Sequence, residues 1–138
     1  SGFLEINIAD LEKVFLGINE TPRRKMLTSQ LRIFIHKLLA LGVKGEIWID
    51  GSFSTRNPEP MDYDVLLVIP RVVFSGMMEK DKQELNDLSD NRELTRRKWS
   101  CDLYVIDSNN LGDRRYYEDL FSRNPDGANR KGIPVIKL

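Results

Sequence analysis

The sequence contains one cysteine, Cys101, among its 138 residues. A single cysteine excludes an internal disulfide and any metal cluster built from several thiolates, and it is typical of a protein from a reducing compartment. Histidine is equally scarce, since His36 is the only one, and nothing near it indicates a catalytic role. We therefore expect a cytoplasmic protein whose chemistry, if it has any, depends on other residue types.

Excess charge of either sign is also missing. The 21 basic and 21 acidic residues cancel, so the net charge gives no indication of nucleic-acid wrapping or of binding to an anionic membrane. No apolar stretch approaches the roughly 20 residues that span a bilayer. Any electrostatic function must therefore be local.

The length of the chain and its apolar pattern predict one domain over residues 1–138, with an α/β (α+β) fold in which about four strands are flanked by helices. An extended arm leading into a short helix is expected before residue 17. The predicted strands are Glu46–Asp50, Asp62–Pro70, Cys101–Ile106 and Ile133–Leu138. Pro134 lacks an amide hydrogen for a β-ladder, so we expect the last strand to lie at an edge of the sheet.

The first long helix is predicted to begin at Thr21-Pro22 and to end at Gly42. Its first turn contains Arg23, Arg24 and Lys25 and no acidic residue. Three cations at this end oppose the helix dipole. They either help to bind an anion or form an ordinary solvated helix end, which is the commoner role of a charge run.

The residues that suggest chemistry lie at the polar ends of two predicted strands. Ile47-Trp48-Ile49-Asp50 ends at Gly51-Ser52, and the next strand begins with Asp62-Tyr63-Asp64. Because side chains alternate along a strand, Asp62 and Asp64 point the same way. Two carboxylates about 4 Å apart repel by roughly 4 kcal/mol at an effective dielectric constant of 20, so the pair favours a hard cation such as Mg²⁺. A Gly-Ser turn can donate hydrogen bonds to phosphate oxygens.

A third acidic residue, Asp102, stands near the start of a later strand. Taken together, Gly51-Ser52, Asp62-x-Asp64 and Asp102 resemble the nucleotidyltransferase superfamily of the DNA polymerase β type. The Trp-Ile-Asp-Gly-Ser-Phe and Pro-Glu-Pro-x-Asp-x-Asp-Val runs are most similar to small bacterial proteins of the minimal nucleotidyltransferase type. The order and spacing of the three motifs make this signal more specific than any one of them.

The resemblance implies a mixed central sheet with the active site at one end. In that superfamily the carboxylates matching Asp62, Asp64 and Asp102 hold two Mg²⁺ ions, which Mn²⁺ can replace, and the turn matching Gly51 and Ser52 holds phosphate. The implied reaction transfers a nucleoside monophosphate from a nucleoside triphosphate, ATP in the first instance, to an acceptor that can be a protein.

Two departures from the family pattern bear on this expectation. The stretch after Gly51-Ser52 contains two prolines and is predicted to be a loop, whereas many members continue into a helix. The chain also has no room for the helical domain that recognises the acceptor in larger enzymes, so recognition would come from a partner chain or a homodimer, or would be absent.

Simpler interpretations remain open. Asp62 and Asp64 could belong to a polar turn before a strand, Asp102 could form a surface ion pair, and Ser52 could only form a turn. Asp50 is interpreted as a turn residue and is left out of the site. The alternative function is an antitoxin-like or regulatory protein that uses this fold to bind a partner, with or without turnover.

Overall fold

The computed structural model describes residues 2–17, 20–50, 62–124 and 130–138. These residues form an α/β structure with one mixed sheet. The strands are β1 (Phe3–Glu5), β2 (Glu46–Asp50), β3 (Tyr63–Ile69), β4 (Cys101–Asp107) and β5 (Ile133–Lys137). The helices are α1 (Leu11–Leu16, after a 3₁₀ turn at Ile8–Asp10), α2 (Pro22–Ala40), α3 (Arg71–Gly76), α4 (Glu79–Asp90), α5 (Arg92–Trp99) and α6 (Leu111–Phe121).

The strand order across the sheet is β1-β5-β2-β3-β4. β3 runs parallel to β4 and antiparallel to β2, while β5 is antiparallel to β2 and parallel to β1. The start of β3, the start of β4 and the end of β2 therefore lie at the same end of the sheet.

The two faces of the sheet are covered unequally. α1, α2, α4 and α5 pack on one face around a core that includes Ile47, Val65 and Leu103. On the other face, α6 contributes Phe121 to a smaller cluster that contains Trp48. β3 is buried on both faces, as its apolar sequence predicts.

Two sequence predictions about the sheet were wrong. Over the described residues the sheet has five strands, where about four were expected, because the extended arm at Phe3–Glu5 pairs with β5. β5 is consequently an interior strand and not an edge. Pro134 is tolerated because its pairing is with Leu4 of β1, whereas pairing between β5 and β2 extends only as far as Val135.

The predicted limits of α2 are confirmed. The Thr21 hydroxyl accepts a hydrogen bond from the amide of Arg24 at 3.2 Å, and Gly42 follows the helix with φ of 85°. Arg24, however, is fully buried and donates from Nη1 to the carbonyl of Phe15 at 3.2 Å. The interpretation as a solvated helix end therefore fails for Arg24, whose guanidinium donates to a carbonyl near the end of α1.

Among the described residues, none of the helices combines the length and apolarity that crossing a membrane requires.

Candidate functional site

Three aspartates form a row across the sheet at the end where β2 stops and β3 and β4 start. Asp50 pairs in register with Asp64, and Asp64 pairs with Asp102. Directly paired residues point to the same face of a sheet, and neighbouring strands lie about 4.8 Å apart. The row lies on the face that carries Trp48 and Tyr104, on which α6 packs.

Asp62 lies immediately before β3 and is half-buried. Its negative charge and that of Asp64 act on each other. The structure thus brings Asp62, Asp64 and Asp102, all three predicted carboxylates, to one place. Gly51 and Ser52, the predicted phosphate-binding residues, lie outside the described residues, and their role stays a prediction.

Asp102 is held by arginines from α5. Arg96 donates from Nε to Oδ1 at 2.6 Å and from Nη2 to Oδ2 at 2.8 Å, and Arg92 donates from Nη2 to Oδ2 at 3.4 Å. The Asp102 side chain is 8% exposed, whereas that of Arg96 is 53% exposed. Asp102 therefore forms an ion pair, as one simpler interpretation expected, but a largely buried one with two-point geometry.

A sharp turn between α5 and β4 places these arginines. Ser100 adopts the left-handed conformation, with φ of 58° and ψ of 36°, and its amide donates to the Arg96 carbonyl at 2.8 Å. The Tyr63 hydroxyl donates to the carbonyl of Trp99 at 2.8 Å, which ties the end of α5 to the start of β3. Because the chain reverses direction at Ser100, the side of α5 that carries Arg92 and Arg96 lies next to Asp102 at the start of β4.

At the other end of the row, Asp50 forms an ion pair with Lys131. Lys131, just before β5, lies 2.5 Å from Oδ1 of Asp50, and both side chains are largely buried. Asp50 was left out of the predicted site as a turn residue; in the structure it is the last residue of β2 and forms this ion pair.

Asp64 in the middle of the row, and Asp62 next to it, have no such partner in the part of the chain that the structure describes. Neither Asp62 nor Asp64 forms an ion pair with any described residue. Burial raises the pKa of Asp64 to about 7, and repulsion from Asp102, Asp62 and Asp50 adds to the effect. Burial followed by repulsion from Asp102 raises the pKa of Asp62 as well.

The pKa of Asp102 is shifted in the opposite direction, below its usual value. Burial raises the pKa of this carboxyl group, but the hydrogen bonds and charge of Arg96, with a smaller contribution from Arg92, outweigh burial and leave the pKa below its usual value. Among the described residues, Asp50 and Asp102 therefore each have a contacting cation, whereas Asp62 and Asp64 have none.

These observations test whether the residues fit a divalent cation. Asp62 and Asp64 fit, because they are oxygen ligands whose charges repel each other and which form no ion pair within the described ranges of the chain. Asp102 does not fit as it stands, since its oxygens bind guanidinium groups. Over the part of the chain that the structure describes, no three His, Cys, Asp or Glu side chains are arranged as a ready-made metal site.

Sequence reasoning missed the arginines. Arg92 and Arg96 are one helical turn apart in the segment before β4, so they project from one side of α5 toward the strand that follows. Arg92 also donates to the Tyr104 hydroxyl at 2.8 Å. A pair of arginines at this spacing, just upstream of a strand that begins with an aspartate, is a signal that could have identified them.

Fold and site together define an α/β protein with a five-stranded mixed sheet and an acidic row at one end of it. Comparison with protein families places the chain in one of them: it belongs to the family of unknown function DUF6932, whose profile matches residues 1–137. No curated protein and no solved structure matches the chain.

Proposed function

We propose that this protein is a Mg²⁺-dependent nucleotidyltransferase of the DNA polymerase β type, which transfers a nucleoside monophosphate from a nucleoside triphosphate to an acceptor hydroxyl. ATP is the first candidate donor, and a protein side chain is a candidate acceptor. The proposal rests on the motif order in the sequence and on one structural observation, namely the convergence of Asp62, Asp64 and Asp102 at one end of the sheet.

The charges of the site support this proposal. Asp62 and Asp64 carry raised pKa values and form no ion pair with the described residues, so a bound Mg²⁺ would relieve their repulsion. These two side chains would hold the ion, which supplies charge neutralisation for the triphosphate.

The proposed reaction is a single displacement at phosphorus. The acceptor oxygen forms a bond to the α-phosphorus while the bond between that phosphorus and the α,β-bridging oxygen breaks. The bridging oxygen leaves with its electron pair as part of pyrophosphate, and the hydroxyl proton is released to solvent. The role of the protein is to hold the reacting groups in line and to balance their charge.

Calorimetric titration of the full chain with ATP in the presence of Mg²⁺ tests the binding step. We expect binding that is lost in chelator and in the double variant Asp62→Asn, Asp64→Asn. Asp107→Asn is a matched control, because Asp107 lies at the far end of β4 and contacts Arg71. Absence of binding by the native protein, or equal binding by the double variant, would reject the proposal.

A transfer assay separates an enzyme from a binding protein. With ATP labelled at the α-phosphate, the label should pass to the chain itself or to proteins of a cell extract while pyrophosphate is released. Nucleotide binding with neither labelling nor pyrophosphate release would instead favour the regulatory, antitoxin-like alternative.

A further inference from the structure

The ion pair between Arg96 and Asp102 bears on how many metal ions the site takes. A carboxylate has about four lone-pair positions available for hydrogen bonds or metal ions. Arg96 occupies one position on each oxygen, at 2.6 and 2.8 Å, and Arg92 approaches a third from 3.4 Å. About one position is left, and a second metal ion bound there would lie close to two guanidinium charges that repel it.

The distribution of positive charge along the row also indicates a single added metal ion. Lys131 neutralises Asp50 at one end of the row, and Arg96 neutralises Asp102 at the other. Only the pair formed by Asp62 and Asp64 lacks a contacting cation among the described residues. The charge of the acidic row can therefore be balanced by one added divalent ion, located between the two ends that Lys131 and Arg96 neutralise.

The geometry of Arg96 distinguishes its contact from an incidental surface pair. Both carboxylate oxygens are engaged by a planar guanidinium, and the carboxylate is buried, so the contact is strong and directional. The turn at Ser100 and the bond from Tyr63 to Trp99 hold the helix that carries Arg96. Removal of Arg96 would leave a largely buried carboxylate without its principal partner.

We propose that this site binds one divalent cation, at Asp62 and Asp64, and that the Arg96 guanidinium at Asp102 takes the place of a second metal ion. The inference rests on the proposed function and departs from the two-ion arrangement that the family resemblance implies. Asp102 is then a positioning residue that orients Arg96 beside the bound triphosphate. The ligand taken by the site is a nucleoside triphosphate with a single divalent ion.

Counting bound Mn²⁺ tests this inference without depending on activity. The full chain, saturated with α,β-methylene ATP, is titrated with Mn²⁺ while free Mn²⁺ is followed by electron paramagnetic resonance. We expect one Mn²⁺ per ternary complex for the native protein. Arg96→Ala should bind two, because Asp102 regains the two lone-pair positions that Arg96 occupied and loses its principal positive partner.

Matched variants make the count interpretable. Arg97→Ala removes an exposed neighbour that pairs with Glu93 on the same helix, and it should still bind one ion. The double variant Arg96→Ala, Asp102→Asn should return the count from two to one. The double variant also removes the buried charge that Arg96→Ala leaves unpaired. If circular dichroism shows that Arg96→Ala does not fold, the double variant takes its place, and we still expect it to bind one Mn²⁺.

The outcomes separate this inference from the proposed function. Two ions in the native complex would overturn the role of Arg96 and leave the nucleotidyltransferase proposal standing. A count of one in folded Arg96→Ala, or of two in the double variant, would also overturn the inference. No bound Mn²⁺ and no bound analogue in the native protein would instead overturn the proposed function.

Discussion

Lys131 and Asp50 form an ion pair of 2.5 Å between Nζ and Oδ1, in which the two side chains are only 15% and 13% exposed. The pair joins the segment before β5 to the last residue of β2. It also places a positive charge at one end of the acidic row, beside Asp50, whose own negative charge contributes to the raised pKa of Asp64.

Lys131→Ala should therefore destabilise the protein, since it leaves Asp50 largely buried and uncompensated. We expect a loss of about 3 kcal/mol in the free energy of unfolding, measured by urea denaturation. Lys137→Ala is the control, because Lys137 pairs with Glu5 in an exposed position and should lose less than about 1 kcal/mol. Equal losses in the two variants would show that burial of the pair is unimportant.

The pKa of Asp64 predicts how stability depends on pH in the absence of metal. A carboxyl group whose pKa rises on folding, here from 3.8 to about 7, holds its proton more tightly in the folded state. The stabilisation is present below pH 4 and is lost as the pH rises through 7. Three pKa units set an upper bound of about 4 kcal/mol, which solvent screening reduces to about 2 kcal/mol.

The measurement is the free energy of unfolding in chelator at pH 5 and at pH 8. The native protein should be less stable at pH 8, and Asp64→Asn should lose most of that difference. The raised pKa of Asp62 has the same sign, so the double variant Asp62→Asn, Asp64→Asn should show the flattest profile. A native protein that is more stable at pH 8 would contradict the described electrostatics.

Arg24 should contribute to the stability of the fold, although the run of basic residues that contains it has the sequence of a solvated helix end. Its guanidinium is fully buried and donates to the Phe15 carbonyl near the C-terminal end of α1, where carbonyls lack helical partners. Arg24→Ala should cost about 3 kcal/mol through lost packing and an unpaired carbonyl. Arg24→Met, which retains most of the volume, should cost less.

The neighbouring cation offers the comparison for Arg24. Lys25 pairs with Glu20 on the surface, so Lys25→Ala should change the free energy of unfolding by less than about 0.5 kcal/mol. A larger loss for Lys25→Ala than for Arg24→Ala would mean that the basic turn acts through its exposed charge.

Ser100 adopts a left-handed conformation, with φ of 58°, at the turn between α5 and β4. A residue with a Cβ atom is strained there by about 1 kcal/mol, and glycine is not. Ser100→Gly should raise the melting temperature by a few degrees in a scanning calorimeter. Ser100→Val should lower it, because a β-branched side chain is disfavoured at positive φ.

Much of this fold follows from local signals in the sequence. Thr21-Pro22 and Gly42 bounded α2 correctly, because capping depends on residues within one turn of the helix end. The strand at Phe3–Glu5 was missed as part of the sheet because a three-residue extended segment becomes a strand only through its partner. The edge prediction for β5 failed for the same reason.

By itself, the sequence determined that Asp62, Asp64 and Asp102 stand at the starts of strands, since the alternation of side chains and the abrupt change from polar to apolar residues are properties of short segments. Tertiary structure decided which cation meets which carboxylate. The left-handed turn at Ser100 positions Arg96 to contact Asp102, and the pairing of β5 with β2 positions Lys131 to contact Asp50. These contacts depend on how distant segments pack, and packing fixes distances that local sequence patterns do not encode.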